Sequence, residues 1–409
     1  MDKPHEAAPT AERQHALEAV RGFALLLGIV LHATLSFIPG QRYWMILDTH
    51  PSITLAVLFF VIHAFRMTTF FLIAGFFAHM SFHRRGALGF AKDRLQRIAL
   101  PLLVGWPIVF TAMVLVVMWA ASLVPGSVSS APRNWPPVLP RFPLAHLWFL
   151  YVLLEFYAAT LVLRAAVVWA DRSGRLRAGI DRLFALIMRR ALAPAIPAIP
   201  IGVCFWLDPT WSGWMGVRTP DASLVTNLQA WVGFGTAFSF GWLLHRRRDL
   251  LPILQQRWLF NLLAAAGLIA ASLVLFGLPP RPIHDAMLQL AGSICYALAI
   301  WSTSFAAIGC ALRFLAGYSR MRRYLADASY WLYIIHLPLV MALQAAVSRL
   351  GWPWPFKFAT IMLVGLPVMF ASYQFLVRDT FIGLVLNGRR MRREKPPTAT
   401  TAQPARAPF

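Results

Sequence analysis

Six ionisable side chains stand inside apolar runs of this chain: Arg21, His32, His63, Arg66, Glu155 and His336. Such a group loses its hydration, so it faces a cavity, a partner or a ligand, and it marks a site by default. A neutral imidazole can take a proton from a hydroxyl as a general base. A guanidinium can hold a phosphate or a carboxylate through paired N–H donors. Arg21 and His32 are eleven positions apart. At about 100° and 1.5 Å per residue they fall within roughly 20° of one helix face, about 16 Å apart along it. That spacing suits an anionic carrier with a flexible arm, held at Arg21 and reaching His32. The alternatives are an arginine that anchors the membrane edge and a histidine that hydrogen bonds between helices.

His63 and Arg66 lie at i and i+3 in "HAFRMTTFFLIAGFF". Arg66 is too deep in its run to reach water, so it needs a carboxylate, a group of carbonyls or an anionic ligand. Glu155 is the one acid deep in an apolar run, which makes an Arg66–Glu155 pair the simplest expectation. Ser329 and His336, seven apart, share a face, with Tyr330 and Tyr333 flanking, and form a polar stripe that leads to the imidazole. Interhelical hydrogen bonding is the other reading of that stripe. Arg94 and Arg97, at i and i+3 ahead of another apolar run, read as a phosphate clamp or as a basic membrane edge.

The elements that must position these groups are membrane helices. Mean hydropathy is +0.60, and 58% of the 409 residues are hydrophobic. Apolar segments fall near 19–38, 55–80, 98–124, 146–169, 190–207, 226–244, 258–277, 286–312, 328–348 and 358–377. Each is long enough to cross a bilayer as a helix, the form in which a lipid-exposed backbone satisfies its own hydrogen bonds. The expected fold is an all-α polytopic membrane protein of about ten transmembrane helices. The linkers alternate in charge, with about 28 basic residues on one side and about seven on the other. The positive-inside rule then puts both termini in the cytoplasm. Residues 1–18 are a cytoplasmic segment, 19–378 the membrane domain, and 379–409 a basic, disordered tail.

The net charge of +22 is thereby read as a topology signal and a face toward anionic lipid, not as nucleic-acid binding. Cys204, Cys295 and Cys310 sit in apolar runs without metal-ligand spacing, so neither a metal nor a bound cofactor is expected. No cleavable signal peptide is read at the start. The outer linkers 124–143 and 207–221 carry Trp135, Trp211 and Trp214, which read as interfacial aromatics or as surfaces for sugar rings. No internal repeat is evident, which weighs against an inverted-repeat transporter. A transporter of an organic anion, with Arg21 and Arg66 lining its path, is the reading outside enzymes.

Taken together the segments resemble the membrane acyltransferase family 3, and within it the glucans biosynthesis protein C branch. The resemblance runs over roughly 13–378. It rests on Arg21 and His32 with ten residues between them, "FFLIAGFF" (70–77), Arg94-x-x-Arg97 running into "IALP", "HLWFLYVLLEFY" (146–157), "FSFGWLLHRRRDLL" (238–251) and "YLADASYWLYIIHLPLV" (324–340). It implies a multi-pass protein of the bacterial inner membrane. Such a protein moves an acyl group, succinyl or acetyl, from cytoplasmic acyl-CoA to a hydroxyl of a periplasmic glycan such as an osmoregulated glucan. Another exported polysaccharide or metabolite is the alternative acceptor. By resemblance the catalytic groups are Arg21, His32 and His336, with Arg94, Arg97 and Arg21 on the CoA phosphates. Arg66, His63, Glu155, Tyr333 and Ser329 would line the acyl or oxyanion pocket. Glu18 stands where the family pattern leads one to expect aspartate, which keeps the carboxylate. With no extracytoplasmic domain after the tenth segment, the chain is expected to work alone, as a homo-oligomer, or with a separate periplasmic partner.

Overall fold

The computed structural model describes residues 10–40, 44–123, 141–191, 193–279 and 285–388. The helices in chain order are α1 (Thr10–Thr34), α2 (Ile53–Arg94), α3 (Leu100–Leu123), α4 (Trp148–Ala170), α5 (Arg175–Arg189), α6 (Ala195–Leu207), α7 (Leu228–Arg246), α8 (Leu251–Gln256), α9 (Trp258–Phe276), α10 (Ala286–Phe314), α11 (Arg320–Ser348), α12 (Trp354–Ser372) and α13 (Phe381–Asn387). Among the described residues the only β pairing is an isolated bridge between Arg141 and Ser223. Side chains start several helices by taking orphan N–H groups: Ser52 accepts from Leu55 at α2, Asn227 from Ala230 at α7 and Asp285 from Leu288 at α10.

Each apolar segment read from the sequence lands on a helix. Among the described residues seven stretches are long and apolar enough to cross a membrane, and one of them, Ile53–Leu123, contains both α2 and α3. α6 is apolar but only 13 residues long. The chain is an all-helical, multi-pass membrane protein. α1, α10 and α11 form its interior, with 61%, 67% and 56% of their most apolar windows buried, against 22% for α4 and α9. The outer helices turn apolar side chains to the surroundings, as lipid-facing helices do. α2 and α7 cross closely because Gly75 and Gly241 face each other's helix. A Cβ on Gly75 would strike the Phe238 carbonyl, and one on Gly241 the Leu72 carbonyl.

Helices run further than apolarity alone suggests. α1 begins at Thr10 rather than at the expected membrane edge, and α2 continues through the basic linker to Arg94 with a break at Gly86. The basic linkers 171–182 and 245–257 hold α5 and α8. Charge marks where a helix leaves the bilayer without ending it. The segment expected as a disordered tail is corrected in part: "FIGLVLN" forms α13, with Leu386 buried, because that run is apolar enough to pack. Residues 389–409 and Trp135 lie outside the described residues.

The loop after α1 is pinned to the bundle. Asp48 N–H donates to the Ser36 carbonyl at 3.0 Å, and Ser52 N–H to the Phe37 carbonyl at 2.7 Å. Lys357, at the start of α12, sets its Nζ 2.8 Å from both Asp48 carboxylate oxygens, with the two side chains 0% and 1% exposed.

Candidate active site

α1 and α11 pack along each other, and their contact places His336 Nε2 2.9 Å from His32 Nδ1. His336 Nδ1 is 2.6 Å from the Tyr333 carbonyl one turn earlier. A carbonyl only accepts, so in a neutral His336 it is Nδ1 that carries the proton and Nε2 that is bare. The bare Nε2 then makes His32 Nδ1 the donor, and His32 Nε2 is left as a lone pair. These tautomers follow from the heavy-atom partners. His32 also hydrogen bonds the Gly28 backbone one turn earlier.

A third imidazole completes the group. His146 precedes α4, its ring centroid 4.9 Å from that of His336 and 6.5 Å from that of His32. Its Nε2 donates to the Ile334 carbonyl at 3.1 Å, which leaves a buried Nδ1 without a partner. The Tyr333 hydroxyl donates to the His146 carbonyl at 2.6 Å. Ala145, just before it, has φ 48°, a left-handed conformation that costs a residue with a Cβ and so marks a turn held by its surroundings. Gln344 frames the other side. Its amide donates to the His32 carbonyl at 2.9 Å and accepts the Trp44 indole N–H at 2.9 Å, and Trp44 stacks on His32 at 6.0 Å.

Arg66 reaches into this group from α2. It is 9% exposed, its Nε has no partner, and among the described residues no carboxylate lies within ion-pair distance of it. Its guanidinium lies against α1 where a Cβ on Gly28 would be, one turn before His32. It acts electrostatically on His32, His63, His146 and His336. His63 Nε2 donates to the Met215 carbonyl at 2.8 Å, and its Nδ1 is buried without a partner. Bare nitrogens and one acid-free guanidinium thus surround the His32–His336 pair, an arrangement suited to a hydroxyl donor and to a developing negative charge.

Near the α1 and α11 N-terminal turns the groups are cationic. Arg21 lies over Phe77 at 5.7 Å and within electrostatic range of Glu18, Asp327, Arg323 and Arg94. Arg323 bridges Glu18 at 2.7 Å and Asp327 at 3.2 Å. Arg94 lies 5.0 Å over both Phe90 and Tyr157. The Tyr330 hydroxyl donates to the Arg97 carbonyl at 2.7 Å, which ties the arginine turn to the helix that carries His336.

The family model for acyltransferase family 3, an acyltransferase domain, matches residues 14–374, which include this whole site. The chain belongs to that family. Among curated relatives, glucans biosynthesis protein C of Shigella dysenteriae serotype 1 (strain Sd197) is 30% identical over 152 residues, 35% of this chain and 37% of its own. The protein of the same name from Escherichia coli O6:K15:H31 (strain 536 / UPEC) is 32% identical over 148 residues, with the same shares. The alignments span little more than a third of those relatives. No solved structure matches the chain.

One sequence expectation fails here. Glu155 does not pair with Arg66. It accepts the Thr226 hydroxyl at 2.7 Å, toward the loop before α7, because its position on α4 turns it away from the imidazoles. Ser329 returns its hydroxyl to the Ala326 carbonyl of its own helix at 2.9 Å, the usual way a serine inside a helix is satisfied. Of the outer tryptophans, Trp214 is 2% exposed and bonded to the Gly277 carbonyl, so it offers no face to a sugar. Trp211 bonds the Gly216 carbonyl and stacks on Phe205 at 4.3 Å. His146, Trp44, Gln344 and Asp93 were not singled out. His146 sits at a segment edge where a histidine reads as interfacial, and its one signal is its place at the head of "HLWFLYVLLEFY".

Proposed function

We propose that this acyltransferase takes a succinyl or acetyl group from cytoplasmic acyl-CoA and passes it to a hydroxyl of a periplasmic glycan, in the inner membrane of a bacterium. The name of the relatives, glucans biosynthesis protein C, supports a glucan as the acceptor. The charge asymmetry of the linkers supports about ten crossings with both termini in the cytoplasm. The observation that carries the reading is the His336–His32 hydrogen bond, with the tautomer order set by the Tyr333 carbonyl.

In this reading the CoA phosphates meet Arg94, Arg97 and Arg21, and the pantetheine arm brings the thioester to His32. His32 Nε2 takes the proton of the acceptor hydroxyl as its oxygen attacks the thioester carbonyl. Arg66, with His63 beside it, faces the oxyanion, or the free carboxylate of a succinyl donor. The C–S bond then breaks, and the thiolate takes the proton back from His32, giving the ester and free CoA. His336 holds His32 in the reactive tautomer, as an orienting group does in a nucleophile–base–orienter array.

The test is thiol release by the purified protein in liposomes, with acetyl-CoA or succinyl-CoA and a crude periplasmic glucan. Acceptor-dependent release with one donor is expected and names the acyl group. Absence of both release and CoA binding, with organic-anion flux that needs no donor, overturns the reading in favour of a transporter.

A further inference from the structure

Asp93 is an acid inside the basic stretch "KDRLQR", and it is 4% exposed. Three arginines converge on it. Arg85 bonds Oδ1, Arg97 Nε lies 3.1 Å from the same oxygen, and Arg94 lies 3.5 Å from Oδ2. In a straight helix residues eight apart are separated by about 12 Å along the axis, too far for this contact. Arg85 and Asp93 meet because α2 breaks at Gly86, where φ 69° and ψ 179° suit a residue without a Cβ. After Arg94 the chain takes a π-helical turn, Leu95–Ala99, a form that recurs at functional sites, and this turn carries Arg97.

The exposures show which way the cluster opens. The carboxylate keeps 4% of its side-chain surface, while Arg85, Arg94 and Arg97 keep 45%, 18% and 30%. The acid sits inside, the Arg85 and Arg97 side chains are partly open, and Arg94 lies against Phe90 and Tyr157. Each guanidinium has five N–H donors, and Asp93 has four lone-pair sites for all three, so most donors stay free. Three positive charges around one negative charge leave an excess that attracts a polyanion. The carboxylate acts as a scaffold that keeps like charges together, not as a competitor for the ligand.

We propose that Asp93 is the positioning residue of a polyphosphate clamp, and that Arg85 is a third cation of it beyond the Arg94–Arg97 pair. This rests on the donor reading above, in which the polyphosphate is the nucleotide end of the CoA thioester.

The experiment compares two donors with the full-length protein in liposomes: acyl-CoA, and an acyl-pantetheine that has the arm but no phosphate. The variants are Arg85→Gln, Asp93→Asn and Asp93→Glu. Arg85→Gln and Asp93→Asn raise the KM for acyl-CoA about tenfold, the loss of one charge-assisted contact, with kcat within about twofold. The same variants keep the wild-type KM for acyl-pantetheine, and Asp93→Glu recovers part of the acyl-CoA affinity. An equal loss with both donors, or an unchanged KM for acyl-CoA, overturns the clamp. Binding of inorganic pyrophosphate separates the two readings. Pyrophosphate binding that depends on Arg85, without turnover of acyl-CoA, keeps the clamp and fails the donor reading. No pyrophosphate binding fails the clamp itself.

Discussion

His336 accepts a hydrogen bond from His32 at 2.9 Å while it donates to the Tyr333 carbonyl, so orientation passes from the α11 backbone through one imidazole to the other. On the proposed reading the reactive nitrogen is His32 Nε2, the one turned away from His336. His32→Ala is expected to lower kcat by about 10²- to 10⁴-fold, the usual worth of a general base, and to leave CoA binding intact. Thiol release and direct CoA binding on the same sample check this, and normal turnover would remove His32 from the mechanism.

His336→Phe keeps an aromatic ring and removes the acceptor. Turnover should drop by roughly 10²-fold, since the base loses its fixed tautomer. Tyr333→Phe is the contrast. It deletes the hydroxyl bond to His146, worth about 1 kcal/mol net, but retains the carbonyl that orders His336. Kinetics of both variants side by side decide the matter: a Tyr333→Phe loss as large as that of His336→Phe would mean that the hydroxyl, not the carbonyl, sets the array.

Gly28→Ala puts a methyl where the Arg66 guanidinium lies. The guanidinium is the end of a flexible side chain and can move, so stability should change little while turnover falls. Thermal unfolding in detergent and thiol release, measured together, test it. Full activity would show that Arg66 does not work from that position.

The Lys357–Asp48 pair is enclosed, and breaking it strands a charge. Lys357→Met or Asp48→Asn alone should cost about 3–5 kcal/mol, whereas Lys357→Met with Asp48→Leu should recover most of that. The double-mutant cycle by thermal shift reads the coupling. Additive losses would show that the two charges do not depend on each other.

The membrane helices were legible because apolar length is the strongest signal a chain can carry, and α4, α9 and α10 lie where that length placed them. His32 and His336 were each legible as a deep polar group in need of a partner, but their pairing was not, because it depends on how α1 packs on α11. Glu155 was misplaced because a deep acid and a deep arginine invite pairing on paper, and only the rotation of α4 shows that the acid turns to Thr226. Asp93 was hidden by its neighbours. In a stretch with five basic residues between 84 and 97 the acid looks incidental, and the break at Gly86 that makes it central depends on one backbone torsion. His146 owes its place to a turn at the edge of the apolar run, where periodicity has little reach.

One helix carries both ends of the proposed reaction path. Tyr330 fastens α11 to the arginine turn, and His336, two turns on, holds the base. Six residues of α-helix fix that interval at about 9 Å, and a helix does not stretch. α11 is therefore a ruler. On the proposed donor reading, a carrier is measured by the reach of its arm between phosphate and thioester, and carriers with shorter or longer arms would be turned away before their acyl group is ever inspected.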